Sequence, residues 1–183
     1  MSAAPRVLLD ACVLYPPVLR GVLMNCAVAG LFVPLWSPRI LAEWAHAAGR
    51  SGADSAALAA EAIGRLRAVF PEAEVVPAEA TEAALDLPDP ADAHVLAAAL
   101  DGEADVLLTL NLRDFPRRVM AAHGLVAEAP DTLLMRLWLE RPEVVAGAVA
   151  AAGVAGRAAL KRAGLPRLGK ALDSRVGGAQ GEG

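Results

Sequence analysis

The sequence predicts an α/β protein, a three-layer α/β/α fold with a central, mainly parallel sheet and a helical C-terminal extension. Three observations predict it. Two dense apolar runs without alternation, Arg6-Val7-Leu8-Leu9-Asp10 and Asp105-Val106-Leu107-Leu108-Thr109-Leu110, have the pattern of parallel strands covered on both faces. Segments of helical periodicity alternate with these runs and with weaker strand candidates at 31–36, 74–76 and 125–127. The 183 residues and 56% hydrophobic content suffice for one compact domain with a buried core and a small appendage.

After the first strand, residues 17–29 carry Val18, Val22, Leu23 and Cys26 at helical spacing and stop at Gly30, which suits a C-terminal cap. Ser37 is an N-cap and Pro38 a first-turn residue of the next helix, whose apolar stripe is Ile40, Leu41, Trp44, Ala45 and Ala48. Residues 53–69 and 78–85 are helical, before a proline-bounded turn at Leu87-Pro88-Asp89-Pro90. Asp89 then caps a helix with Val95, Leu96, Ala99 and Leu100 on its buried stripe. The second dense strand leads to a short helix after Pro116, and residues 130–140 form a helix carrying Leu133, Leu134, Leu137 and Trp138. Arg141-Pro142 marks a break. Residues 143–163 read as one Ala/Val-rich helix, Leu165-Pro166 interrupts it, and a last short helix runs to about Leu172. The expected organisation is therefore a core domain at 5–140, a helical extension at 141–173 and a glycine-rich, disordered tail at 174–183.

The net charge of −4 is unevenly placed. Residues 157–183 hold six basic groups against two acidic ones, a net +4, which leaves −8 on the preceding residues, from 11 basic and 19 acidic groups. An acidic body with a basic extension is suited to contact nucleic acid or an acidic partner, although a solvated helix face is the default. Arg6 leads directly into a strand rather than a secretory leader, and the most lipid-like segment, 144–156, is shorter and richer in Ala and Gly than a span of about 20 apolar residues requires. A cytoplasmic protein without a membrane partner is expected. Cys12 and Cys26 lie in apolar runs and read as small buried hydrophobes in a reducing compartment.

Four acidic residues, Asp10, Glu43, Asp92 and Asp114, sit where buried segments meet turns or helix starts. Carboxylates resist being buried together, because like charges repel and lose hydration, so a site that gathers several calls for a cation or shifted pKa values. Hard oxygen ligands favour Mg²⁺ or Mn²⁺. Asp10 ends the first strand, at the strand end where ligands collect in open parallel sheets. Asp92 heads the buried stripe of its helix, a position that dipole compensation alone does not require. Asp114 follows the second strand beside Thr109 and Asn111, polar groups that equally serve a turn. Glu43 borders the stripe of its helix, and taken alone is an ordinary surface glutamate. His94, beside Asp92, is a candidate to contact a phosphate or shuttle a proton, although the default reading is a helix-face or partly buried histidine. The chain has no Cys/His spacing for zinc, no GxxxxGK[ST] loop and no GxGxxG turn, which removes the usual support for nucleotide binding.

Four stretches in this order and spacing resemble the PIN-domain ribonucleases, a fold used by VapC-like toxins of bacterial toxin-antitoxin pairs: residues 7–16 around Asp10, 36–44 around Glu43, 88–99 around Asp92 and 109–115 ending in Asp114-Phe115. The resemblance covers roughly residues 5–135. It implies a metal-dependent endoribonuclease in which Asp10, Glu43, Asp92 and Asp114 are catalytic and Asp10, Asp92 and Asp114 hold Mg²⁺ or Mn²⁺. Thr109 and Asn111 would be supporting polar groups, and Arg39 and Arg113 candidates for binding the RNA. It also implies a cognate antitoxin and a homodimer, for which the Val18-Val22-Leu23 face or the extension offers a surface. One departure stands out: Ala11 and Cys12 occupy positions where family members often carry Asn or a hydroxyl residue, so a hydrogen bond to the first aspartate is expected to be missing. The rival readings are a catalytically weak PIN-like module that binds RNA or a partner, and an aspartate-using phosphotransferase. The latter commonly needs a second aspartate where Cys12 stands.

Overall fold

Dense runs of Val and Leu become strands because, covered on both faces, they bury every side chain and leave backbone pairing as the only outlet for N–H and C=O groups. In the computed structural model, which describes residues 4–179, the elements are β1 (Arg6–Leu9), α1 (Ala11–Leu14), α2 (Pro17–Val28), β2 (Val33–Leu35), α3 (Pro38–Gly49), α4 (Ala53–Val69) and α5 (Glu79–Ala83). A single 3₁₀ turn (Pro90–Asp92) then precedes α6 (Ala93–Asp101), β3 (Val106–Leu108), α7 (Arg117–Ala122), β4 (Val126–Glu128), α8 (Pro130–Glu140), α9 (Pro142–Ala151), α10 (Gly156–Arg162) and α11 (Pro166–Ala179). The chain forms two compact units, Met1–Tyr15 with Phe32–Glu128, and Pro16–Leu31 with Ala129–Gly183.

The first unit holds a four-stranded sheet in the order β2-β1-β3-β4, parallel throughout. Leu8 pairs with Leu35 on one side and Leu107 on the other, and Leu9 pairs with Leu108. The fold class is the expected α/β/α one. The chain leaves β1 towards β2 on one side and reaches β3 on the other, so the strand order reverses between β1 and β3. Their carboxyl ends flank the crevice where open α/β sheets bind ligands. The strand starts are fixed too: the Arg6 N–H donates to Asp105 Oδ2 at 2.7 Å, and the Arg6 guanidinium donates to Gly102 O at 2.8 and 3.0 Å. Position 102 has no room for a side chain, since a Cβ would lie 2.8 Å from Ala98 O.

The second unit is helical. The Asn25 side-chain amide donates to Ala148 O at 3.0 Å, joining α2 to α9, and both oxygens of the buried Asp131 on α8 accept N–H bonds of 3.0 Å from Arg167 and Leu168 in the first turn of α11. These ties place α2 and α8 with the C-terminal helices, so the units cut the chain differently from the expected boundary at residue 140.

Several expected elements differ in detail. Residues 143–163 are two helices rather than one, because Gly153 and Gly156 take positive φ of 68° and 76° and turn the chain between α9 and α10 by 82°. The last helix continues past Leu172 to Ala179, through residues expected to be disordered, while 180–183 lie outside the described residues. Residues 74–76 contribute one bridge, Glu74 to Trp36, and not a strand. The stripe on α6 is wider than expected: Ala93 through Ala99 are all buried, whereas Leu100 is only partly so. Val22 and Leu23 are fully buried, which leaves Val18 as the exposed member of the apolar α2 face considered for pairing. Among the described residues no single helix is long and apolar enough to cross a membrane.

Candidate functional site

Asp10 follows the last residue of β1, and its own N–H donates to Leu108 O on β3 at 3.1 Å, which pins it at the mouth of the crevice. Its carboxylate is nearly buried, at 8% exposure. Buried charge needs hydrogen-bond donors, and two converge on Oδ2: the Thr109 hydroxyl at 2.7 Å and the Cys12 thiol at 3.1 Å. Thr109 is fully buried at the end of β3, where its N–H donates to Glu128 O at 3.1 Å and its hydroxyl accepts from the Asn111 N–H at 3.0 Å. The Leu110 N–H donates to Cys12 Sγ at 3.2 Å. Here the structure corrects an expectation, because the hydrogen bond thought to be missing at Ala11-Cys12 is made by the thiol. Burial and the adjacent Asp10 push the Cys12 pKa up to about 12, so it remains the protonated donor this geometry uses. Cys12 is half-buried rather than a core hydrophobe, while Cys26 is fully buried and both thiols are free.

Asp92 ends the 3₁₀ turn. That turn begins where Asp89 Oδ1 accepts from the Ala91 N–H at 2.9 Å, as the expected cap should, and Pro90 supplies a first residue already set for helix. Burial pushes the Asp92 pKa up to about 6, and the carboxylates of Asp114, Asp89 and Asp10 push in the same direction. Asp114 sits in a tight turn, its N–H donating to Asn111 O at 3.0 Å. Asn111 therefore acts on this turn through its backbone.

Glu43 is carried by α3. Ser37 Oγ accepts from the buried Ile40 N–H at 3.1 Å, which caps the helix, and Ile40, Leu41 and Trp44 anchor its inner face. The Glu43 side chain is 43% exposed, and Oε1 lies 2.8 Å from His94 Nε2 and 3.7 Å from Arg39 Nε. Burial raises the Glu43 pKa, Arg39 opposes that, and Asp10 and Asp92 reinforce it. His94 is buried on α6 and turned towards Glu43. Burial and the nearby Arg39 lower its pKa, so the neutral ring donates through Nε2 to Glu43 while Nδ1 is buried without a partner among the described residues. Its only sequence cue was a polar residue two positions after Asp92 inside an apolar helix. Arg39 is committed to carboxylates, with Glu82 Oε1 at 3.0 Å from its guanidinium, whereas Arg113 is exposed in the turn that holds Asp114.

The structure thus brings the four acidic residues into one neighbourhood, where, after burial, the charges of Asp10 and Asp92 raise Glu43 and those of Asp114, Asp89 and Asp10 raise Asp92. Among the described residues, no three His, Cys, Asp or Glu side chains converge closely enough to hold a metal ion as they stand. Chemically the set still fits a hard divalent cation. It offers several carboxylate oxygens, and Asp92 and Glu43 are raised first by burial and then by their acidic neighbours, a charge that a divalent cation would offset.

A family model described as PIN domain matches residues 6–113, ending one residue before Asp114. No curated protein and no solved structure matches the chain.

Proposed function

The chain belongs to the PIN domain family, whose members are generally metal-dependent nucleases, and from that premise we propose that it is an Mg²⁺- or Mn²⁺-dependent endoribonuclease. The observation that carries this reading is the buried Asp10 carboxylate, held beside the switch point of the sheet by Thr109 and Cys12, with Asp92 raised to about 6 by burial and by the carboxylates of Asp114, Asp89 and Asp10. Asp10, Asp92 and Asp114 would hold the cation. A bound divalent ion would supply the positive charge and Lewis acidity that phosphodiester hydrolysis needs at a site this acidic. Thr109 and Cys12 hold Asp10 Oδ2, so that carboxylate meets a ligand in one orientation. Glu43, steadied by His94, would orient the attacking water. Arg113 and Arg39 would meet substrate phosphates, Arg39 after exchanging a carboxylate partner for the RNA.

A VapC-like toxin role is part of the proposal and rests on the resemblance of the four motifs. It implies a cognate antitoxin that masks the carboxylates with a basic side chain, and a homodimer. The alternative, a catalytically weak module that binds RNA or a partner, is favoured by the fact that the carboxylates do not converge at ligating distance. Incubating a mixed RNA pool with purified protein in Mn²⁺ or in EDTA separates the two. Endonucleolytic cutting confined to Mn²⁺ is the expected result, and intact RNA with folded, Mn²⁺-supplied protein would leave the binding module.

A further inference from the structure

The second compact unit contains no member of the carboxylate site, yet it carries the concentrated positive charge of the chain. Four cations, Lys161 and Arg162 at the end of α10 and Arg167 and Lys170 at the start of α11, flank a single tight turn in which Gly164 has φ of 81°. All four are exposed. The neighbouring cations are paired, Arg157 with Asp173 at 4.0 Å and Arg175 with Glu143, the latter also stacked 5.6 Å from the Trp138 ring. Among the described residues no carboxylate pairs with the four. The nearby Asp131 spends both oxygens on the Arg167 and Leu168 amides.

Helix electrostatics account for only half of this arrangement. Cations in the last turn of α10 favourably meet its dipole, but Arg167, at the second position of α11, sits at the positive end of that helix, and Lys170 follows one turn on. The hairpin that holds them is tightly built: a Cβ at Gly169 would lie 3.2 Å from Leu160 Cβ and 3.3 Å from Arg157 O. An open cavity of about 240 Å³ adjoins the cluster, lined by Pro16, Pro17, Val18, Ala159, Arg162 and Ala163. It is smaller than the roughly 300–1,000 Å³ of drug-sized ligand sites, apolar, and edged by a guanidinium, which suits a single splayed base beside a phosphate.

We propose that the α10–α11 turn is a docking site for single-stranded RNA, in which Lys161, Arg162, Arg167 and Lys170 take backbone phosphates and the adjoining cavity takes a base. The inference rests on the ribonuclease reading for the identity of the polyanion, but not on catalysis. A hairpin of this charge offsets the repulsion that the acidic remainder of the chain exerts on RNA.

The test is binding of a fluorescein-labelled 20-nucleotide single-stranded RNA to the full chain in EDTA, read by anisotropy at several salt concentrations. A variant carrying Lys161→Gln, Arg162→Gln, Arg167→Gln and Lys170→Gln serves as the comparison, with its melting temperature checked against the wild type. Four phosphate contacts to a single strand contribute a log–log salt slope of about −2.8, or about 50-fold in affinity between 50 and 200 mM salt. The variant is expected to lose that slope and to bind correspondingly weakly at 50 mM. Equal slopes and affinities in wild type and folded variant would overturn the proposal, as would wild-type binding to polyglutamate as tight as to RNA, which would mark an acidic-protein surface. If the quadruple variant melts early, the four single substitutions replace it, each expected to remove about 0.7 of slope. A protein that cuts no RNA in Mn²⁺ but shows this slope would refute the nuclease reading and keep the docking site. Cutting without a slope difference would do the reverse.

Discussion

Asp10 and Asp92 carry similar charge in different ways, and the difference decides what each substitution does. Asp10 is satisfied by two donors, whereas Asp92 is raised to about 6 by burial and by its acidic neighbours. A carboxyl whose pKa is raised on folding contributes stability that is complete below the unfolded value, near 3.8, and lost as pH rises through about 6. In metal-free protein, Asp92→Asn should therefore melt with the wild type at pH 4 and several degrees above it at pH 7.5. Calorimetry in EDTA at the two pH values checks this, and an advantage independent of pH would remove the carboxylate repulsion from the account. Thr109→Val keeps the shape at the end of β3 but deletes the 2.7 Å bond to Asp10. Loss of a partner that orients a metal-ligating group costs roughly 10–100-fold in metal affinity, and calorimetric titration with Mn²⁺ should show a weakening of that order. Asp10 and Asp92 stand out in the sequence because one ends and the other heads an apolar segment, whereas Glu43 is singled out only by the resemblance of the four motifs. The groups that hold them were less legible. Cys12 looked like a lost hydrogen bond, since a thiol in an apolar run carries no sequence mark of its partner, and His94 shared no local pattern with Glu43, 51 positions earlier.

At the scale of elements, α3 shows how a local signal positions a distant function. Ser37 and Pro38 start the helix at a defined residue, and that start fixes which side of it Glu43 occupies. Ser37→Ala leaves the buried Ile40 N–H without its acceptor. N-cap deletions of this kind cost about 1 kcal/mol, within a range of roughly 0.5–2, and urea unfolding should show that loss with an unchanged denaturant slope. Caps and dense strands were the most readable elements, because each depends on a few adjacent residues. The helix read over 143–163 broke where Gly153 and Gly156 adopt left-handed conformations, which Ala/Val composition cannot announce. The start of α11 is fixed by Asp131, 35 positions before Pro166, and its far end runs through a glycine-bearing stretch that composition alone assigns to disorder.

On the scale of the molecule, the parallel order β2-β1-β3-β4 converts two sequence-distant strand ends into one place. Asp10 and Thr109 are 99 positions apart and hydrogen-bonded. The class of fold was legible from the alternation of elements, and the pairing of β1 between β2 and β3 follows from it only through tertiary packing. The division into units was not legible, because α2 and α8 join the C-terminal helices through contacts such as Asn25 with Ala148 that have no local signature. Charge is partitioned in the same sense, with the carboxylate site in the first unit and the exposed cations of the α10–α11 turn in the second.

The most direct test of the central claim compares wild type with Asp92→Asn on one mixed RNA pool in Mn²⁺, with melting curves recorded for both. Mn²⁺-dependent cutting by the wild type, abolished by EDTA, is expected, with a folded variant that has lost at least a hundredfold in rate, about 2.7 kcal/mol of transition-state stabilisation. Equal cutting by the two folded proteins would contradict it.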